Sequence, residues 1–399
     1  MQKIIGSILI VAGTTIGAGM LAMPIISASV GFTFMAFILF CIWFAMYYTA
    51  ILLVDVYKYN PPTDGLNTLT VKYLGNSGAV ATALSMLILM YALVSAYITG
   101  GGEIFRTNLE KWLQVEISSH TSAFLFTALF GSIIAFGTRV VDFSNKIVFT
   151  TKLIFLCIVM ALLLPKVEMI HLQHLPSSSI PVLATIPVIF TSFGFYVVIP
   201  TLVKYLDGNI KQLKLVFLIG SITPLLLYLV WELTFLGNLD SNTFTAILQE
   251  NSKMEGLLKA VKQVHNSKMI GISFTLFASA ALLTSFWGVA MALKDYIQDL
   301  GKNKPLIKNN MSAMLLTFIP PLVFAIFYPD GFVIALGYAS IPLVVLALIM
   351  PMLMLQKAQK QAGVKQPFLQ KLAFVFLWGL SLLIFILQGL MVAEVIPAY

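Results

Sequence analysis

The stretch GSILIVAGTTIGAGMLAMP, residues 6–24, reads as a membrane helix that breaks at its middle. The apolar run 4–27 is long enough to cross a bilayer, because about 20 residues at 1.5 Å each cover the ~30 Å hydrocarbon core. Within it Gly13, Gly17 and Gly19 surround Thr14 and Thr15, and Pro24 follows. Glycine is a poor helix former and tolerates backbone angles that other residues avoid. Backbone unpaired at that depth is costly unless it lines a cavity or a ligand satisfies it. Gly13 and Gly17 also form a GxxxG, which serves plain helix packing, so a second observation is needed to choose.

That observation lies at 181–204. There Thr191-Ser192-Phe193-Gly194-Phe195 interrupts another apolar run, with Pro187 before it and Pro200 after it. Both interruptions fall at the middle of their runs, and a proline follows each glycine at a similar distance, Gly19 to Pro24 and Gly194 to Pro200. Matching breaks in two halves point to a transporter binding site. Half-helix N-termini offer free N–H groups to an anion and half-helix C-termini offer carbonyls to a cation. A ligand carrying both a carboxylate and an ammonium fits such a pair.

The rest of the chain agrees with this class. Of 399 residues, 59% are hydrophobic and only 10% charged, against about 25% charged in a soluble domain, so a soluble enzyme is excluded. Eleven runs are spanning candidates: 4–27, 32–54, 77–101, 122–137, 147–164, 181–204, 215–236, 269–293, 311–327, 332–355 and 369–393. They are long runs without strand-like alternation, which favours helices over a barrel. The longest connection, 237–268, leaves no room for a soluble domain. The expected architecture is an all-α integral membrane protein of one domain, 1–399. Spans 1–5 (about 4–164) and 6–10 (about 181–355) form two repeats, inverted because each holds an odd number of spans, and span 11 (369–393) is added. The first span, too long for a signal peptide, reads as a retained helix. Cys41 and Cys157 fall inside spans, so neither a disulfide framework nor a cysteine metal site is implied.

With the N-terminus in the cytoplasm, 17 of the 24 Lys and Arg fall on the inner side, Lys294, Lys302, Lys304 and Lys308 among them. The positive-inside rule predicts this asymmetry, and an odd span count places Tyr399 on the periplasmic side. The charges are scattered over separate loops, which argues against a nucleic-acid surface.

The run at 6–24 resembles the start of the bacterial hydroxy and aromatic amino acid permeases. IPVIFTSFGF at 186–195 with Pro200 resembles their sixth span, TLVKYLDGNIKQL at 201–213 their next cytoplasmic loop, and FYPDGFVIALGYA at 327–339 their ninth-to-tenth connection. The resemblance implies a LeuT-like fold of the amino acid–polyamine–organocation superfamily, with proton-coupled uptake across the bacterial inner membrane. Tyr196 and Val197 depart from the His-Gly pair that often follows the family's SFGF motif, which leaves the substrate preference open. An aromatic amino acid, tyrosine first, is the expected substrate. Tryptophan, phenylalanine or a serine/threonine-type substrate, carried by symport or exchange, is the alternative.

The amides around Ile16, Gly17, Ala18 and Gly19 are the candidate carboxylate site. Carbonyls near Thr14, Thr191 and Ser192 are candidates for the ammonium, with the Thr15 and Ser192 hydroxyls assisting, unless those hydroxyls bond back into their own helices. Phe193 and Phe195 beside Gly194, Tyr91 and Tyr97 on span 3, and Phe286 on span 8 are candidate walls; facing the core or lipid is the alternative for each. Lys152 sits about five residues, or ~8 Å, inside span 5. In proton-coupled relatives a span 5 lysine stands where sodium-coupled members bind a cation, so the resemblance implies that Lys152 carries the coupling proton. Glu232 on span 7 is the other candidate, with snorkelling to the outer interface as its alternative.

No cofactor or metal is expected. His171 and His174 form an HxxH without further ligands, and His120 and His265 fall in outer loops. Loop 237–268 reads as an amphipathic surface helix around Leu257, Leu258 and Val261, a candidate outer gate by its position. HExxH, GxSxG with an intramembrane histidine, and GxxxxGK[ST] are all absent, which disfavours a membrane enzyme or an ATP-driven pump. Paired single breaks disfavour a channel. The expected partners are the substrate, protons and the lipid bilayer.

Overall fold

The computed structural model describes residues 2–176, 178–251, 253–265, 268–300 and 309–396, and all regular structure among them is helical. Lys302, Lys304, Lys308 and Tyr399, which the charge argument placed by side, lie outside the described residues, as does the side chain of His265.

The first span is α1 (Gln2–Thr15) and α2 (Ala18–Ser27), bent by 46° across Ile16 and Gly17. Helices α3 (Phe32–Val56), α4 (Leu66–Leu113), α5 (Ser119–Ala135) and α6 (Thr138–Leu163) follow. The sixth span is α7 (Ser179–Ser192), a 3-10 turn at Phe195–Val198 and α8 (Ile199–Tyr205), with Pro200 in the first turn of α8 where its missing N–H costs nothing. Then come α9 (Ile210–Asn238), α10 (Ser241–Glu250), α11 (Lys253–His265), α12 (Lys268–Leu300) and α13 (Asn310–Phe327). Helices α14 (Phe332–Val344) and α15 (Met350–Gln361) join through a π turn, and α16 (Phe368–Val392) ends the series. Each expected run falls on one of these helical stretches. Among the described residues nine are long and apolar enough to cross a membrane, the bent α1–α2 pair makes ten, and α5 is shorter at 17 residues. Helix α4 is two helices in series, because Gly75 adopts φ 70° and ψ −165°, angles open to glycine alone.

The two interrupted spans form the centre. All ten residues of α2 are buried, as is α7 from Ala184 to Ser192, and the two helices pack on each other. Around them α4 packs on α14 and α12 on α6, while α1 packs on α9 and α7 on α3. Exchanging spans 1–5 with 6–10 converts each pair into its counterpart, as an internal repeat of five spans would. The outer helices show apolar faces, with Phe368 on α16, Phe136 after α5 and Val375 on α16 all at least 69% exposed. So large an apolar exterior suits hydrocarbon and not water.

Three expectations change. Glu232 does not snorkel: it is fully buried, and its Oε2 accepts from Ser27 Oγ at 2.5 Å. Helix α9 continues six residues further to Asn238, and Ser241 bonds to the Ala28 carbonyl above it, so no open path leads to the headgroups. Lys294 is not in a loop; α12 runs on to Leu300, and the lysine is only 7% exposed. The segment 237–268 forms two helices in place of one. Leu257, Leu258 and Val261 face inward, and α11 seats on α2, α4, α12 and α14. Asp240 caps α10 by accepting from the Thr243 amide at 3.0 Å, which holds its carboxyl below the usual range. His171 sits with Nδ1 3.2 Å from the Gly237 carbonyl oxygen, and among the described residues no three metal-binding side chains cluster.

Close approach of α9 to α1 depends on Gly220, where a Cβ would stand 2.7 Å from Val11 Cβ and 3.3 Å from the Ile8 carbonyl oxygen. Gly220→Ala is expected to destabilise by ~1–3 kcal/mol, read as a lower melting temperature in detergent. Gly6→Ala, with nothing within 4 Å of the new methyl, is expected to leave it unchanged or raised.

Candidate functional site

A cavity of about 730 Å³ lies at the two breaks, within the range that holds a small organic ligand. Gly17, Ala18 and Gly19 border it from the start of α2, and Thr191, Ser192 and Gly194 from the end of α7. Met86, Leu89, Met90 and Leu93 of α4 with Leu336 and Leu343 of α14 make an apolar wall. Leu9 and Ile10 of α1, Asn145 of α6 and Tyr296 of α12 extend the cavity toward the side of the N-terminus. On the opposite side the fully buried α2 closes it.

The break in span 1 leaves donors and acceptors exposed to one another. The Ile16 amide still donates to Ala12, and Met20 donates to Gly17, but among the described residues no carbonyl accepts from the amides of Gly17, Ala18 and Gly19. These three N–H groups form the positive end of α2, and they border the cavity. Gly19 is required there because a Cβ would overlap Ser192 Oγ and stand 3.0 Å from Ser192 Cα. At Gly17 a Cβ would stand 2.9 Å from Ser285 Oγ.

The carbonyls released by the breaks are met by side chains. Lys152 of α6, 2% exposed, donates from Nζ to the Ile16 carbonyl at 3.2 Å, and its ammonium stands 4.6 Å from the Phe149 ring centroid. Among the described residues no carboxylate pairs with Lys152 within 4.0 Å. Tyr228 of α9 donates from its hydroxyl to the Thr15 carbonyl at 2.6 Å, with the Ser192 carbonyl at 3.1 Å. The hydroxyls of Thr14, Thr15, Thr191 and Ser192 each donate to the carbonyl four residues earlier, at 2.7–3.1 Å. They therefore face a ligand only as acceptors.

The aromatic candidates divide. Tyr97 borders the cavity, whereas Tyr91 turns away and donates its hydroxyl to the Leu316 carbonyl at 2.8 Å. Phe193 packs edge-on against Tyr228 at 5.4 Å, Phe195 stacks on Phe217 at 6.2 Å, and Phe286 meets Phe126 at 5.3 Å. These three rings form the wall behind the breaks and do not line the cavity. Ile16 does not border the cavity: its amide, expected to be free, donates to the Ala12 carbonyl, and its own carbonyl accepts from Lys152. Glu232 lies apart from the cavity, against Ser27. Sequence reasoning passed over Asn145, Phe149, Ser285 and Tyr228. The first two had a signal: Asn145, Phe149 and Lys152 are spaced four and three apart, which places them on one helix face.

The Tryptophan/tyrosine permease family model matches residues 1–397. The "Tyrosine-specific transport system 1" of Haemophilus influenzae is 39% identical over 398 residues, covering 99% of this chain and 96% of that protein. "Glutamine transporter 2" of Aliivibrio fischeri is 32% identical, with 90% of each chain covered. The solved structure of MhsT in complex with L-phenylalanine superimposes with a TM-score of 0.61, covers 96% of this chain and 97% of that one, and is 14% identical. The chain belongs to the tryptophan/tyrosine permease family and has a LeuT-like fold.

Gly19→Ala is expected to lower expression-normalised substrate uptake about tenfold or more, equivalent to ~1.4 kcal/mol, because the added methyl drives α2 off Ser192. The double variant with Ser192→Gly should recover part of it, since the overlapping side-chain atoms are gone.

Proposed function

We propose that this member of the tryptophan/tyrosine permease family imports an aromatic amino acid, tyrosine foremost, across the bacterial inner membrane by proton symport with alternating access. One observation carries the reading: three unpaired amides at the N-terminus of α2 and the carbonyl ends of α1 and α7 border one apolar-walled cavity. The substrate carboxylate binds at Gly17, Ala18 and Gly19, where free N–H groups and the helix dipole favour negative charge. Its ammonium donates to carbonyls near Thr14, Thr191 and Ser192, each of which has a second lone pair available, and to the Thr15 and Ser192 hydroxyl oxygens. The ring lies against Tyr97, Phe149 and the α4 methionines. The family description and the tyrosine-specific relative support the aromatic substrate.

Lys152 carries the coupling proton in this reading. Its ammonium holds the Ile16 carbonyl at the break, so losing the proton weakens the tie between α6 and the hinge of span 1. Glu232 is the second proton site, on the opposite side and tied to α2 through Ser27. Charge asymmetry supports a cytoplasmic N-terminus and a periplasmic C-terminus, and on that orientation the cavity faces the cytoplasm. The protein is a carrier, not an enzyme, built of repeats at about 4–164 and 181–355 with 369–393 added.

Uptake of labelled tyrosine, phenylalanine, tryptophan, serine and glutamine into proteoliposomes, with and without an inward proton gradient, tests the assignment. Accumulation of tyrosine under the gradient is expected; no accumulation of any aromatic amino acid overturns it. Lys152→Gln is expected to abolish gradient-driven accumulation and to spare exchange of internal for external substrate. Unchanged concentrative uptake by that variant would reject the role of Lys152.

A further inference from the structure

The Tyr228 hydroxyl does not border the cavity, yet it reaches both breaks. In an uninterrupted helix the Thr15 carbonyl would accept from the amide of residue 19 and the Ser192 carbonyl from that of residue 196. Neither bond forms, since α1 stops at Thr15 and α7 at Ser192. Two buried carbonyls from distant parts of the chain thus lose their donors at the same depth. One phenol oxygen stands 2.6 Å from the first and 3.1 Å from the second. The ring that carries it is fully buried and packs edge-on against Phe193, the residue after Ser192.

We infer that Tyr228 is a positioning residue that pins the two broken helices to each other through the Thr15 and Ser192 carbonyls, holding the binding groups in register before substrate arrives. The inference rests on the transport reading of the same site. A buried carbonyl left without a donor is destabilising, so without the hydroxyl each end would have to shift to find another partner or admit water. The shift would misplace the amides of Gly17, Ala18 and Gly19 on one side and the Thr191–Ser192 carbonyls on the other. The hydroxyl fills this carbonyl pair as a small cation would, but it is a fixed part of α9. Helix α9 also packs along α1 and α3, so the pin is anchored in the frame around the breaks.

Tyr228→Phe keeps the ring and its contact with Phe193 and deletes only the donor. Two measurements are made on the purified full chain. The first is amide hydrogen exchange of segments 12–20 and 187–198 without substrate, a readout independent of what the protein carries. Exchange in both segments is expected to quicken about tenfold in Tyr228→Phe and to return to wild-type rates in Tyr228→4-aminophenylalanine, whose two N–H groups serve both carbonyls. The second is tyrosine uptake in proteoliposomes, where KM should rise about tenfold with the maximal rate little changed, the pattern of lost preorganised binding. Unchanged exchange at both segments in Tyr228→Phe overturns the inference, as does a variant whose maximal rate falls while KM stays at the wild-type value. If Tyr228→Phe does not accumulate, Tyr228→4-aminophenylalanine decides alone: wild-type exchange supports the pin, and loosened segments reject it. Failure of wild-type protein to carry any aromatic amino acid would instead reject the transport reading and leave the exchange result standing.

Discussion

The structure depends on one constraint: backbone N–H and C=O groups have no water to turn to in the middle of a bilayer. Breaking a helix there releases four or so groups on each side of the break, and each must be met. Here the donors and acceptors receive different treatment. The carbonyls are met by side chains of the frame, Ile16 by Lys152 and Thr15 by Tyr228, whose single O–H is shared with the Ser192 carbonyl at 3.1 Å. The amides of Gly17, Ala18 and Gly19 are left open toward the cavity. On the proposed reading these amides receive the substrate carboxylate at backbone alone, in spans that hold few charged residues.

Close packing follows from the same constraint. The broken helices hold their angles because the contacts around them leave no space for adjustment: Gly19 against Ser192, Gly17 beside Ser285, and Gly220 against Val11. The centre, α2 with α7, is buried nearly throughout, whereas α6, α13 and α16 carry exposed apolar faces toward lipid. Lys152 joins the two zones, because it stands on the lipid-bordered α6 and reaches the hinge of the central span.

Much of this was written in local sequence. Glycines at 13, 17 and 19 around Thr14 and Thr15, prolines at 24 and 200, and a lone lysine inside an apolar run need no tertiary context to be read. The aromatic walls were not legible in the same way. With 30 phenylalanines and 14 tyrosines, almost any position near a break has a ring beside it, and spacing cannot say which ring faces the ligand. Tyr91 and Tyr97 are six apart on one helix, and that offset of about 120° around the axis is enough for one to border the cavity and the other to leave it. The snorkelling alternative for Glu232 failed for a related reason. Distance from a helix end predicts an escape to the interface only when nothing covers that end, and α2 with the start of α10 covers it.

The sequence by itself determined that this chain spans a membrane many times, where its two central helices break, and which backbone groups those breaks release. These are local matters of hydropathy and glycine freedom. The tertiary structure alone decided which partner each released group finds. Tyr228 lies 213 residues from Thr15 and 36 from Ser192, and Lys152 lies 136 from Ile16. Such pairings come from the packing of whole helices, and no local pattern encodes which side chain will arrive at an orphaned carbonyl.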